Sequence, residues 1–250
     1  MSASDERSRE MYALNYSKPG TVLIFNCSKF ETRPGLRLDF INQDVKELEK
    51  LFQKDLKFTV ETFSNQTADD TEEKVKYFAK QKHEGDVCLI CFIMSRGEDG
   101  KILASDNSTV KLDDFINAFK TNATLANKPK IVFVQTCNNV KERSSDPAKD
   151  SSAFLKISIH DDDLLCYQVE GPESSLYNQQ GSFFFQALCE AIRSNPVNEL
   201  SQILRTVSNS VEQKGFRMPK VEKTLSKRFH FKVSEIILCM LMLSRNFCKK

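Results

Sequence analysis

The sequence predicts an α/β fold, a mostly parallel β-sheet with helices packed on both faces. Three observations carry this. Residues 87–94 form an unbroken apolar run of strand length, which demands cover on both faces of a sheet. Residues 38–52 place Phe40, Ile41, Val45, Leu48 and Phe52 at helical spacing. Strand-length and helix-length segments then alternate, the pattern of parallel strands joined by crossover helices.

Taken in order, the first strand is expected over residues 21–26, a short apolar run after Pro19-Gly20. The helix over 38–52 follows, and residues 58–62 read as a second strand. Residues 69–82 form a charged amphipathic helix, ahead of the apolar strand over 87–94 and another over 131–134. Residues 138–163 differ in character, being polar and rich in Lys, Ser and Asp, with no convincing element except 154–159. They read as a linker or processing loop. Order resumes with a strand over 164–169 and helices over 182–193 and 200–213. The chain closes on the apolar run Ile236, Ile237, Leu238, Cys239, Met240, Leu241, Met242 and Leu243. Such a run is too apolar for an exposed edge strand. It is expected to be buried in the monomer or, by preference, to form the seam of a dimer.

With 250 residues, 40% hydrophobic and 28% charged, the chain has the composition of an ordinary soluble globular protein. Its net charge is +2, and the basic residues are scattered among acids rather than gathered in a stripe. Nucleic-acid binding is therefore not expected. The first ten residues carry no secretory signal, and no apolar run reaches the length of a membrane span, so a cytoplasmic location and no membrane contact are expected. Of eight cysteines, Cys88, Cys91, Cys189 and Cys239 lie inside apolar runs, where reduced cysteine behaves as a small hydrophobe. No disulfide framework, metal or cofactor is expected. The Cys88-x-x-Cys91 pair has no turn between its members and no second pair downstream, so it reads as core rather than as a zinc or redox site.

The chemistry-bearing feature is Gln135-Thr136-Cys137-Asn138, which presents a cysteine at the end of the strand over 131–134. The strand over 87–94 ends in Ser95-Arg96-Gly97. Neighbouring strand ends would bring position 96 beside Cys137, where a thiol protease keeps the histidine that activates its nucleophile. That position is arginine. Ligands of open α/β sheets bind beyond the carboxyl ends of the strands, where both residues fall.

The motifs Gly20-Thr-Val-Leu-Ile-Phe-Asn26 with Phe30, Arg33-Pro-Gly35 with Asp39, and Asp86 through Ser95-Arg-Gly-Glu-Asp-Gly100 with Asp106 together resemble the caspases (peptidase C14). So do Lys128-Pro-Lys130 leading into Gln135-Thr-Cys137, and Gly181-Ser182 with Gln186-Ala-Leu-Cys189. The match runs in order over nearly the whole chain. The resemblance implies one caspase-like three-layer sandwich with a six-stranded sheet. It divides the chain into a short executioner-type leader (1–11), a large-subunit-like region (12–137), an intersubunit linker (138–163) and a small-subunit-like region (164–250). It further implies dimers meeting along the small subunit's last strand, here assigned to Ile236 through Leu243. Cleavage after aspartate by a Cys-His pair is the family activity. By motif position the nucleophile is Cys137, and Gly97 supplies an oxyanion-hole N–H. The histidine is replaced by Arg96. His83, His160 and His230 lie elsewhere and read as ordinary surface or loop histidines.

An arginine beside Cys137 would favour the thiolate. It stays charged at any relevant pH, however, and can neither deliver a proton to the departing amine nor take one from water. Losing such help costs typically ~10²- to 10⁴-fold. The implied aspartate pocket holds Arg33 and Gln135, but gapless counting from Gly181-Ser182 puts Leu176 where the second arginine should stand. No arginine occurs between Arg143 and Arg193. Removing one charged partner from a desolvated carboxylate costs on the order of 2 to 5 kcal/mol. Three further departures are Asn138-Asn139 in place of the family's Arg-Gly, Pro34 after Arg33, and the absence of a proline ahead of Ile236. Asp150, followed by Ser151, is the favoured processing position.

The expected function is that of a non-catalytic caspase homologue, a pseudoenzyme that regulates apoptotic caspase activity by pairing with a catalytic caspase, with activation favoured over inhibition. Pairing with itself as a homodimer stays open. The alternatives are a weakly active or altered-specificity cysteine endopeptidase using Cys137, and a decoy that binds caspase inhibitor proteins.

Overall fold

A computed structural model describes residues 10–12, 17–31, 37–98, 100–138, 163–172, 176–214 and 219–232. Strand β1 (Lys18–Asn26) opens the sheet, followed by helix α1 (Ile41–Glu49), which runs on into a wider π turn over Lys50–Asp55. Strand β2 (Thr59–Ser64), helix α2 (Ala68–Lys80) and the long strand β3 (Asp86–Glu98) come next. Short strands β4 (Lys101–Leu103) and β5 (Thr109–Lys111) form an antiparallel extension of β3 ahead of helix α3 (Leu112–Lys120). Strands β6 (Lys130–Asn138) and β7 (Leu164–Pro172) follow, then a small hairpin of β8 (Tyr177–Asn178) and β9 (Gly181–Ser182). Helices α4 (Phe183–Ser194) and α5 (Leu200–Gln213) and strand β10 (Lys220–Lys223) complete the described elements.

The main path of the sheet is β10-β7-β6-β3-β1-β2. Every pairing along it is parallel except β7 with β10. Alternation along each central strand divides the core in two. Val22, Ile24, Ile90, Phe92, Ile131, Phe133 and Tyr167 face α1, α4 and α5. Leu23, Phe25, Leu89, Cys91, Ile93, Val132 and Val134 face α2 and α3. This is the expected three-layer α/β sandwich, and the continuous apolar run in β3 exists because both of its faces are covered. Cys88 and Cys91 fall in opposite clusters, so the C-x-x-C pair cannot close on one ion.

Several elements lie where the sequence reading assigned none. The helix α3 is short, yet Leu112, Phe115, Ile116 and Phe119 give it one fully apolar face, an i, i+3, i+4, i+7 pattern. Strand β10 has an alternating burial pattern and leaves Val221 exposed at the sheet edge. Pro219 stands immediately before it, so a proline does precede the strand that ends the described sheet. Ile236 through Leu243, the expected dimer strand, lie outside the described residues, as do Arg33, Asp150 and His160. His83 is not at the surface. It is buried in the turn before β3, with Nδ1 2.9 Å from Asp86 Oδ2 and Nε2 3.1 Å from the Phe78 carbonyl. A polar knot with Thr21 and the Lys128 ammonium, which donates to the His83 carbonyl, ties together the amino ends of the strands.

Candidate functional site

The carboxyl ends of β3 and β6 carry the site. Both strands run beyond their apolar cores, so Ser95, Arg96 and Gly97 lie in β3 and Gln135 through Asn138 in β6. The register pairs Arg96 with Cys137 directly. Alternation then places Gln135 and Cys137 on the face that carries α1 and α4, together with Arg96. All three are buried: Gln135 is 0%, Cys137 1% and Arg96 7% exposed. The Gln135 carboxamide makes no well-formed hydrogen bond, and on the opposite face of the strand the Thr136 hydroxyl and the Asn138 side-chain oxygen are also buried without one.

Gly97 owes its identity to close packing. A Cβ there would stand 2.2 Å from the Lys101 carbonyl across the β3–β4 turn. Leu176 is buried at 3% exposure against Gly171, the residue that β7 sets beside Cys137. An aliphatic side chain therefore packs on the glycine that pairs with the cysteine.

Two residues of the site were not singled out from the sequence. Tyr177, at the start of the β8–β9 hairpin, accepts a hydrogen bond from Cys137 Sγ at 3.4 Å, and its ring packs on Phe40 with centroids 3.4 Å apart. Burial pushes its phenol well above the ordinary pKa, and Cys137 and Asp44 add to the effect. Asp44, on α1, is 2% exposed and accepts the Ser182 N–H at Oδ1 over 2.8 Å, while Oδ2 has no hydrogen-bond partner. Burial pushes the Asp44 carboxyl up to about 7, against the opposing pull of Ser182. Gly181 is fixed by the same contact. Its φ is +111°, and a Cβ would meet Asp44 Oδ1 at 2.3 Å. Ser182 in turn caps α4 by accepting the Phe185 N–H at 3.0 Å. A signal for Asp44 was present in the sequence. Ile41, Asp44, Val45 and Leu48 share one helical face, and a carboxylate on that apolar stripe needs a buried partner.

The six described cysteines form no disulfide with one another. Burial raises Cys27 to about 11, Cys166 and Cys189 to about 12, and Cys88 and Cys91 further still. Those five are poor nucleophiles. Neither described histidine is near Cys137: His83 lies at the opposite end of the sheet, and His230 Nδ1 bonds the Val197 carbonyl at 2.9 Å. Among the described residues no cluster of His, Cys, Asp or Glu could hold a metal ion, and no helix is long and apolar enough to cross a membrane.

A family model described as the caspase domain of peptidase C14 matches residues 19–230. The chain belongs to the caspase family. Caspase-7 of Gallus gallus is 29% identical over 212 residues, covering 79% of this chain and 68% of that one. Caspase drICE of Drosophila melanogaster is 31% identical over 201 residues, covering 76% and 59%. Caspase-8 of Rattus norvegicus is matched over 53% of its length, so this caspase-family chain spans roughly half to two-thirds of several such relatives. The solved structure of pro-sf-caspase-1 superposes with a TM-score of 0.80 at 24% identity, covering 92% of this chain and 96% of that one, a likeness of fold. In this caspase fold the nucleophile-motif cysteine at the end of β6 and the arginine at the end of β3 stand side by side.

Proposed function

We propose that this chain is a non-catalytic caspase homologue that acts in the cytoplasm on apoptotic signalling by pairing with a catalytic caspase and changing its activity, activation being favoured over inhibition. The observation that carries the reading is the register pairing of Arg96 with Cys137, both buried. The side chain that the neighbouring strand sets beside the cysteine is one that cannot accept or return a proton, and general acid–base help worth ~10²- to 10⁴-fold is lost with it. Leu176 beside Gly171 removes a second element, because an aliphatic side chain offers no charge to a substrate carboxylate. The described residues around these losses keep a core on both faces of the sheet, which favours a role for the fold over a role for the chemistry. The sheet edge at β10, with Val221 exposed, supports pairing along the sheet.

The test is the cleavage rate of an aspartyl peptide by a fixed amount of active caspase while this chain, carrying Cys137→Ala, is titrated in. A saturable rise is the expected result. A flat response, together with cleavage of a peptide library by the unmutated chain alone, would replace this reading with that of an enzyme.

A further inference from the structure

One contact of the buried Cys137 comes from a hairpin built elsewhere in the chain. Its sulfur donates to the Tyr177 hydroxyl at 3.4 Å and is 1% exposed, although it lies at the open end of the sheet where ligands of this fold class bind. The Tyr177 ring is held from behind by Phe40, the residue that leads into α1. The hairpin that bears Tyr177 is fastened at its other strand. Tyr177 pairs with Ser182 across the hairpin, Ser182 N–H donates to Asp44 on α1, and Ser182 Oγ caps α4. The turn between the strands is closed by Gln180 N–H donating to Asn178 Oδ1 at 2.8 Å. Tyr177 is thereby held against the cysteine by contacts that reach α1 and α4.

We infer that Tyr177 is a stopper: the β8–β9 hairpin seals the Cys137 thiol in the unpaired chain, with Asp44 as the pin that holds the hairpin down, and the thiol meets an electrophile only when this hairpin lifts. The inference does not depend on the regulatory reading, because it concerns access to the sulfur and not what the sulfur does. Whichever of the two groups donates to the other, the sulfur remains covered. Arg96 on the neighbouring strand stays beside the sulfur when the hairpin lifts and would favour the thiolate that then reacts.

The experiment is alkylation of the full chain by iodoacetamide under native conditions, read at Cys137 and at Cys189 by peptide mass spectrometry. Cys189, buried on α4, reports loosening of the fold. The wild-type Cys137 is expected to react at least about tenfold more slowly than in the urea-unfolded chain, the signature of a group that must open first. Tyr177→Ala is expected to speed Cys137 about tenfold with Cys189 unchanged, and Tyr177→Phe, which keeps the ring, only slightly. Asp44→Ala, which withdraws the pin, is expected to speed Cys137 as well. Should Tyr177→Ala speed both cysteines, the chain has loosened, and Tyr177→Leu, which keeps the contact with Phe40 but stops short of the sulfur, decides by the same criterion. Wild-type Cys137 reacting as fast as in the unfolded chain, or equal rates in wild type and the deciding variant, would overturn the inference.

Discussion

Replacing Asp44 by asparagine isolates the buried carboxyl beneath the hairpin. Burial lifts this group from its ordinary 3.8 to about 7. A carboxyl raised in the folded state holds its proton more tightly there than in the unfolded chain. Its contribution to stability is therefore present at low pH and lost as pH rises through about 7. Between about pH 5 and about pH 8 the loss amounts to about 3 kcal/mol, two pH units at ~1.4 kcal/mol each. The asparagine of the Asp44→Asn variant would keep an acceptor for the Ser182 N–H, now bonded at 2.8 Å, but would set an NH₂ where Oδ2 has no partner. That penalty, about 1–3 kcal/mol, does not vary with pH. Neighbouring Tyr177 and Cys189 are both pushed above this range and do not titrate within it. Urea unfolding of wild type and Asp44→Asn at both pH values checks the reasoning. The variant should gain about 3 kcal/mol on wild type between the two conditions. A difference that stays constant across the window would refute the claim that Asp44 is a desolvated carboxyl in the folded protein.

Gly181→Ala combines a positive φ of +111° with a 2.3 Å approach to Asp44 Oδ1. It should destabilise the chain by roughly 2 kcal/mol or more in denaturant melts; a neutral effect would contradict the packing of the hairpin on α1. Phe92 is fully buried against the rings of Phe52, Phe133 and Phe185. Phe92→Ala should lower stability by about 3–5 kcal/mol, and a loss under about 1 would show that the helix layer carrying α1 and α4 is not packed as described. On the proposed non-catalytic reading, Arg96→His and Leu176→Arg should each fail singly to yield aspartyl-peptide cleavage. Cleavage by Arg96→His alone would show that the pocket was intact, and its appearance only in the double variant is the expected result.

The fold was legible because its signal is periodic. An uninterrupted apolar run in β3 and helical spacing in α1, α4 and α5 state which faces must be covered, and a doubly covered sheet is the common solution. Strand β10 was not legible, because an alternating edge strand of four residues, Lys-Val-Glu-Lys, reads as surface in sequence. The π turn after α1 was also unread, since a wider turn leaves no mark on hydrophobic spacing. His83 does lie in a loop, but its burial was not legible, for a related reason. A histidine between Lys82 and Glu84 has polar neighbours along the chain, while its partners Asp86 and the Phe78 carbonyl are supplied by folding.

By itself the sequence determined the class of fold and the family, through the order and spacing of motifs. It also placed Arg96 at the end of its strand, because a strand-end position follows from counting along an apolar run. Only the tertiary structure decided that Arg96 and Cys137 share a register position, that Leu176 packs on Gly171 beside them, and that Tyr177 covers the sulfur. These are contacts between segments distant in the chain, or across a hairpin whose position depends on Asp44, far earlier in the sequence. Residue type and spacing fix which face of its own element a side chain joins; which side chain of another element meets it there is set by packing, and packing is a property of the whole core.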